Sequence, residues 1–340
     1  MSYKRFDQED VVVSAESVTA PVWTGDISTL TTFFTSSTQI GGTSADYYYD
    51  IYQTASTLDS ARVQFSVAYA DKKGSGSLYY NSNVAGKSPS STVYGQYRNL
   101  VLGTEEEDFT FGTITSEHFY AITIDRARYK EKLLPGTIAL KLHVSGSGAE
   151  ITLTDNSQVV STTTFTDAGR VFELVSGSLG TVYTGLETNG YTGNSGSYGK
   201  LLPDIGVLLI NGKALDAPAV SGGLALSTGR NANTADANNS KFYDLLTLSG
   251  SFRCQSEETI TSNFVFVRAR NSEFNYSTNP SLITGSGELR HNVMIDTPQS
   301  YITAVGLYND NNDLLAVAKL SRPLVKDFSK ESLVRIKLDY

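Results

Sequence analysis

Several groups of residues could do chemistry, and each lacks part of a working apparatus. Ala85-Gly86-Lys87-Ser88 ends like a phosphate-binding loop. That motif needs a glycine five residues before Gly86, where Asn81 stands, with a buried strand before it and a helix after it. Pro89 follows closely and the neighbours are Ser and Asn, so the stretch reads as an ordinary loop. His118, His143 and His291 have no ligand spacing among themselves, and no nearby Cys or carboxylate completes a metal set. Cys254 follows Arg253, which could depress a thiol pKa, but a lone cysteine is by base rate a buried, inert one. Glu105 to Asp108 are adjacent in a turn, whereas glycoside hydrolysis needs two separated carboxylates facing a cleft. Asp310 to Asp313 lacks the glycine and distal glutamate of a calcium loop and reads as a hairpin turn. A Ser/His/Asp set can be scattered along a chain, yet no G-x-S-x-G elbow occurs. The expectation is no enzyme, no cofactor and no metal.

The aromatic residues point elsewhere. The chain has 20 Tyr and 15 Phe but one Trp. Many tyrosines sit in or beside Gly/Ser/Asn segments. Tyr with Ser, Gly and Asn makes contact surfaces, with rigid area beside adaptable hydrogen bonds; it also makes carbohydrate platforms. The candidate interface residues are Tyr3, Phe6, Trp23, Tyr79, Tyr80, Tyr94, Tyr97, Tyr191 and Tyr198. Ordinary strand pairing is the competing reading, preferred for Tyr47 to Tyr52.

Composition narrows the class of partner. The 340 residues carry a net charge of -8, and charged residues are 18% of the chain. An acidic chain is a poor ligand for phosphate backbones, so nucleic acid is an unexpected partner. Cys254 alone forms no internal disulfide. No run approaches the roughly 18 apolar residues of a membrane helix, and MSYKRFDQED lacks a signal-peptide core. Synthesis and folding in a cytoplasm are expected.

The elements that must position these residues read as strands. Ala61 to Ala70 places Val63, Phe65, Val67 and Tyr69 on one face. Phe119–Ile124, Thr137–Val144 and Phe264–Arg270 are further strands, and Phe242–Phe252 is another. Val207–Ile210, Asn211-Gly212 and Lys213–Leu215 read as a hairpin with a type I′ turn. Arg126–Leu134, ended by Pro135-Gly136, is the best helix candidate. Asp71–Ser91 is a long polar loop, and Gly229–Ser240 another. At the end, Tyr301–Tyr308 and Leu314–Leu320 flank a polar turn. Val334, Ile336, Leu338 and Tyr340 then alternate with Arg335, Lys337 and Asp339, so one face should be buried. Mainly β structure is expected: antiparallel, sandwich-like modules with long polar loops and little helix. The expected organisation is an arm (1–25) with a turn that buries Trp23, a β domain (26–145), a Gly-rich inserted module or loops (146–200) and a C-terminal β domain (201–340).

Several stretches bear a resemblance. They are Tyr3-Lys4-Arg5-Phe6-Asp7, Phe33–Gln39 (FFTSSTQ), Gly86–Leu100 (GKSPSSTVYGQYRNL), Phe274–Pro280 (FNYSTNP) and Ser321–Tyr340. Together they resemble virion structural proteins of contractile-tailed bacteriophages, especially T4-like cyanophages. The Gly-rich 146–200 region matches least. The resemblance carries no residue-level role. It implies a multi-copy virion component, of the tail or baseplate, that acts by contacts with other virion proteins. A capsid, neck or fibre-associated protein, a host-glycan-binding module and, more distantly, a glycan hydrolase are the alternatives.

Overall fold

The computed structural model describes residues 4–23, 28–29, 34–35, 47–54, 57–84, 86–183, 197–234, 237–248 and 250–339. It is mainly β, with 42% strand and 14% helix. The chain divides into a central unit, Val18–Glu258, and a terminal unit, Met1–Ser17 with Thr259–Tyr340. In chain order the first strands are β1 (Val11–Pro21), β2 (Ser28–Thr29), β3 (Phe34–Thr35), β4 (Tyr49–Tyr52) and β5 (Val63–Asp71). After helix α1 (Pro89–Leu102) come β6 (Thr110–Phe111), β7 (Ile114–Thr115), β8 (His118–Ile124), β9 (Lys132–Leu133), β10 (Ala139–His143) and β11 (Glu150–Asp155). Then follow β12 (Thr164–Thr166), β13 (Gly169–Ser178), β14 (Thr181–Val182), β15 (Gly199–Leu202) and β16 (Val207–Asn211). Helices α2 (Gly212–Asp216) and α3 (Ala237–Thr247) precede β17 (Ser251–Arg253) and β18 (Gln255–Ala269). A short α4 (Val293–Asp296) leads to β19 (Gln299–Tyr308), β20 (Leu314–Asp327) and β21 (Ser332–Asp339).

The central unit is built on one curled sheet of 13 strands. Its path runs β2-β17-β10-β11-β13-β15-β16-β8-β5-β4-β3. Burial on both faces explains why β5, β8 and β16 are almost continuously apolar. On one face Phe65, Val67 and Tyr69 join Tyr120, Ile122, Leu140, Leu208, Phe242 and Phe252. On the other, Ala68, Ala70, Phe119, Ala121 and Leu209 pack against Val93, Tyr94, Tyr97 and Val101 of α1. Small residues on β5 make room for α1, and large ones fill the curled side. Trp23 is buried there, 4.7 Å from the Phe252 ring and 6.3 Å from Phe65, in the turn position expected from Pro21 and Gly25.

Four expectations change. Residues 89–102, read as loop and then strand, form α1. Pro89 is the first helical residue, where its missing N–H costs nothing. The Ser88 N–H donates to Ser91 Oγ at 3.4 Å, and left-handed Gly103 ends the helix. Arg126–Leu134 is no α-helix: Asp125 caps a single 3-10 turn, Arg126–Arg128, and Lys132–Leu133 joins β18. Asn211-Gly212 makes no hairpin, because Asn211 accepts from Lys213 N at 3.1 Å and starts α2. A Cβ on Gly212 would come within 2.2 Å of the His118 ring, so glycine serves close approach there. Finally, Phe242, Leu245 and Leu246 are buried at helical spacing in α3, and the strand expected at Phe242–Phe252 shrinks to β17.

Nor are residues 146–200 a separate module. Leu153 pairs with Ser176, Phe172 with Leu201, and Leu201 with Leu208, so the region supplies middle strands of the central sheet. The expected border at 200/201 is crossed by β15 and β16. The 26–145 domain and residues 201–258 belong to the same unit.

In the terminal unit β21 pairs with β18, Val265 opposite Ile336 and Val267 opposite Val334. The expected alternation holds: Ile336 is buried, Val334 and Leu338 are half-buried, and Arg335 and Lys337 are exposed. Tyr340 lies outside the described residues. The β19–β20 hairpin forms as expected around its polar turn and continues past Ser321-Arg322-Pro323 through a bulge. Its inner residues Val305, Leu307, Ala316 and Ala318 close a small core with Val265 and Ile336. β1 pairs with β18 and is exposed along nearly its whole length.

Candidate functional site

The nine aromatic candidates separate sharply. Tyr3 and Tyr191 lie outside the described residues. Phe6 is 40% exposed and Tyr79 60%. Tyr80 is half-buried, with its hydroxyl 3.4 Å from Asn231 Oδ1. Trp23, Tyr94, Tyr97 and Tyr198, expected at a contact surface, are core residues of this chain. Tyr94 packs between Phe109 and Phe119, and burial pushes its hydroxyl up to about 12. The Tyr97 hydroxyl meets Thr123 Oγ1 at 2.7 Å, and Tyr198 donates to the Gly222 carbonyl at 2.7 Å. Their polar tips are satisfied internally, as buried tyrosines require. The helical period of 94, 97 and 101 could have signalled this; for Tyr198 only the fold could.

A polar network that sequence reading missed holds the loops around Tyr79. Asp71, fully buried at the end of β5, accepts from Lys73 N at 2.8 Å, Ser75 N at 3.1 Å and Arg230 Nε at 2.8 Å. Arg230 Nη2 also reaches Glu117 at 3.0 Å. Asn238 bridges the two loops, accepting from Gly229 N and donating to the Gly76 carbonyl, both at 2.9 Å. Beside it, Asp216 accepts from Thr228 N at 2.8 Å and from the Thr228 hydroxyl at 2.6 Å. Its other oxygen meets His118 Nε2 at 3.1 Å. Burial works against the Asp216 charge, but the hydrogen bonds from His118 and Thr228 hold its carboxyl below the usual range. The loops are also strained: Tyr79, Ala225, Ser227 and Asn231 are all left-handed.

Thr228, Asp216 and His118 contain the groups of a nucleophilic triad in the wrong order. The hydroxyl donates to the carboxylate and not to the imidazole, so no base faces it. His118 Nδ1 is buried without a partner. This arrangement fastens two loops to β8 and does not activate a nucleophile. His143 is half-buried on β10 opposite Glu150, and His291 is exposed. Among the described residues, no group of three or more His, Cys, Asp or Glu converges on a point. Cys254 is buried, which pushes its thiol up. Among the described residues, no helix is long and apolar enough to cross a membrane.

An open cleft of about 490 Å³ is lined by Ser66, Thr123, Asp125, Arg126, Tyr129 and Asp204 among others. Its groups are already engaged. Asp204 takes Arg170 N and Nη2, both at 2.7 Å, and Asp125 caps Ala127 at 2.8 Å. One face of the Tyr129 ring carries the Arg126 guanidinium at 4.6 Å, and Gly206 lies against the ring, where a Cβ would come within 2.7 Å. The ring is therefore no sugar platform.

The surface that stands out is in the terminal unit. It holds fewer than a third of the residues but more than half of the exposed large apolar side chains. They include Tyr276, Val293, Ile295, Tyr301, Leu314, Leu315, Val317, Phe328 and Leu333, and Val11 to Val13 of β1. Its core is thin, with Val265, Leu307 and Ile336 its buried members. Formal charge divides unevenly too. The terminal unit has 11 Lys/Arg against 12 Asp/Glu, net -1, and the central unit 16 against 23, net -7. No family model, curated protein or solved structure matches this chain.

Proposed function

We propose that the chain is a structural component of a tailed bacteriophage particle, present in several copies, made in the host cytoplasm and acting through contacts with other virion proteins. Tail or baseplate is the favoured position, with capsid, neck or fibre as the alternatives. One observation carries the assembly part of this reading: the terminal unit exposes large apolar residues on a thin core. Monomeric proteins rarely leave such patches open, and they mark interaction sites. The stretches quoted above that resemble virion proteins support the particle. The Thr228–Asp216–His118 order and the occupied cleft weigh against hydrolysis. A second reading, contact with a host glycan, is favoured by Tyr79, which is exposed on a loop braced by Asp71 and Asn238 and neighboured by exposed Asn81, Asn83 and Asn231. Mass spectrometry of gradient-purified particles, with immunogold labelling to locate the chain, tests the first reading. The chain is expected in stoichiometric amounts at a fixed place. Its absence from particles, with abundance in the infected-cell lysate, would overturn the proposal.

A further inference from the structure

We propose that the outer face of the β19–β20 hairpin binds a second copy of this chain, two hairpins packing face to face about a two-fold axis that runs along the strands. The inference rests on the assembly reading and names the partner at that surface. The hairpin's inner side chains are taken up by Val265 and Ile336. Its outer face has two unlike rows. On β20 Leu315 and Val317 stand out, 68% and 60% exposed. Beside them on β19, Ala304 and Gly306 form a low row, also exposed, with Gly306 paired to Val317. The Tyr308 ring bounds that row, since a Cβ on Gly306 would come 2.9 Å from it.

A raised row beside a low row is self-complementary. Turning one copy by half a turn about an axis parallel to the strands places its β20 over the β19 of the other. Leu315 and Val317 of each then fill the low row of its mate. Aligned sheets pack this way, with side chains of the two inner faces interdigitating at a spacing of about 10 Å. A two-fold contact is also the commonest way for a chain to meet itself. Charge favours this surface for self-contact. Two terminal units at -1 repel weakly, and two central units at -7 repel strongly. A ten-residue hairpin face measures about 33 Å by 10 Å, so each copy covers on the order of 300 Å², below the usual 800 Å² per partner. The isolated pair should therefore be weak and concentration-dependent, and multiple copies in a particle would strengthen it.

Sedimentation equilibrium of the full-length chain tests this. A monomer–dimer equilibrium in the micromolar range is expected. Val317→Arg should weaken it at least tenfold. Ala304→Val, which fills the low row, and Val317→Ala, which lowers the raised one, should each weaken it. The double variant Ala304→Val/Val317→Ala should recover affinity, because it exchanges the two rows. All these positions are exposed, and circular dichroism should show each variant folded like the parent. A chain that stays monomeric to about 100 μM, far above a micromolar Kd, would overturn the inference, as would a dimer indifferent to Val317→Arg or a double variant no better than the singles. A monomer that is nonetheless found in particles sinks this inference alone. A dimer that responds to these variants but is absent from particles sinks the virion reading alone.

Discussion

At the scale of single residues, the buried charges are fasteners. Asp216 is the clearest case, because its hydrogen bonds come from an imidazole, a hydroxyl and a backbone N–H. Its folded pKa is depressed. The stability it contributes is therefore complete above its ordinary value, near pH 4, and is lost as pH falls below that, through the folded value. Asp216→Asn should cost about 1–3 kcal/mol at neutral pH, the price of leaving buried groups unsatisfied. The gap between variant and parent should close towards pH 3. Urea unfolding at the two pH values measures both quantities, and a gap that widens in acid would refute the assignment. The tyrosines teach a related lesson. Tyr79 and Tyr94 look alike in sequence, each amid Ser, Gly and Asn. One is exposed at a left-handed turn and the other is sealed under α1.

At the scale of elements, β21 is the sharpest test of register. Ile336 faces the small core, and Lys337 faces outward with Asp339 at 3.2 Å and Glu16 at 4.0 Å. Exposed ion pairs of this kind are worth about 0–1 kcal/mol. Burying an isoleucine is worth roughly 1.5–3 kcal/mol, before the penalty of an unpaired charge is added. Ile336→Asp should therefore unfold the terminal unit or drive the chain into aggregates, while Lys337→Ser should change stability little. Solubility and chemical denaturation of the two purified variants decide it; a larger loss for Lys337→Ser would put the strand one residue out of register.

At the scale of the whole molecule, the two units differ in how well each can stand alone. The central unit buries large aromatics on both faces of its sheet, and the terminal unit buries three large aliphatics. Without partners the terminal unit should melt first. Trp23, the single tryptophan, belongs to the central unit and reports on it alone. Calorimetry should show an early transition that tryptophan fluorescence does not follow, then a later one that it does. One transition, seen alike by both probes, would mean that the units unfold cooperatively.

Alternation made the β class legible in residues 63–70 and 334–339, because a strand buried on one face must repeat every second residue. Depletion of charge and the polar turns of the last hairpin were equally local signals. What failed were signals with two physical meanings. Pro89 can break a helix or begin one, and Asn211-Gly212 can close a hairpin or cap a helix. The outcome depended on what lies across the fold: strands β5 and β8 beneath α1, and the His118 ring over Gly212. The Asp71–Arg230 and His118–Asp216 pairs join residues separated by 159 and 98 positions, and no local pattern records such a distance. The sequence by itself determined the period of each strand and the even distribution of tyrosine. Only the tertiary structure decided which of those side chains are spent on the core and which are left for a partner, because burial belongs to neighbours in space.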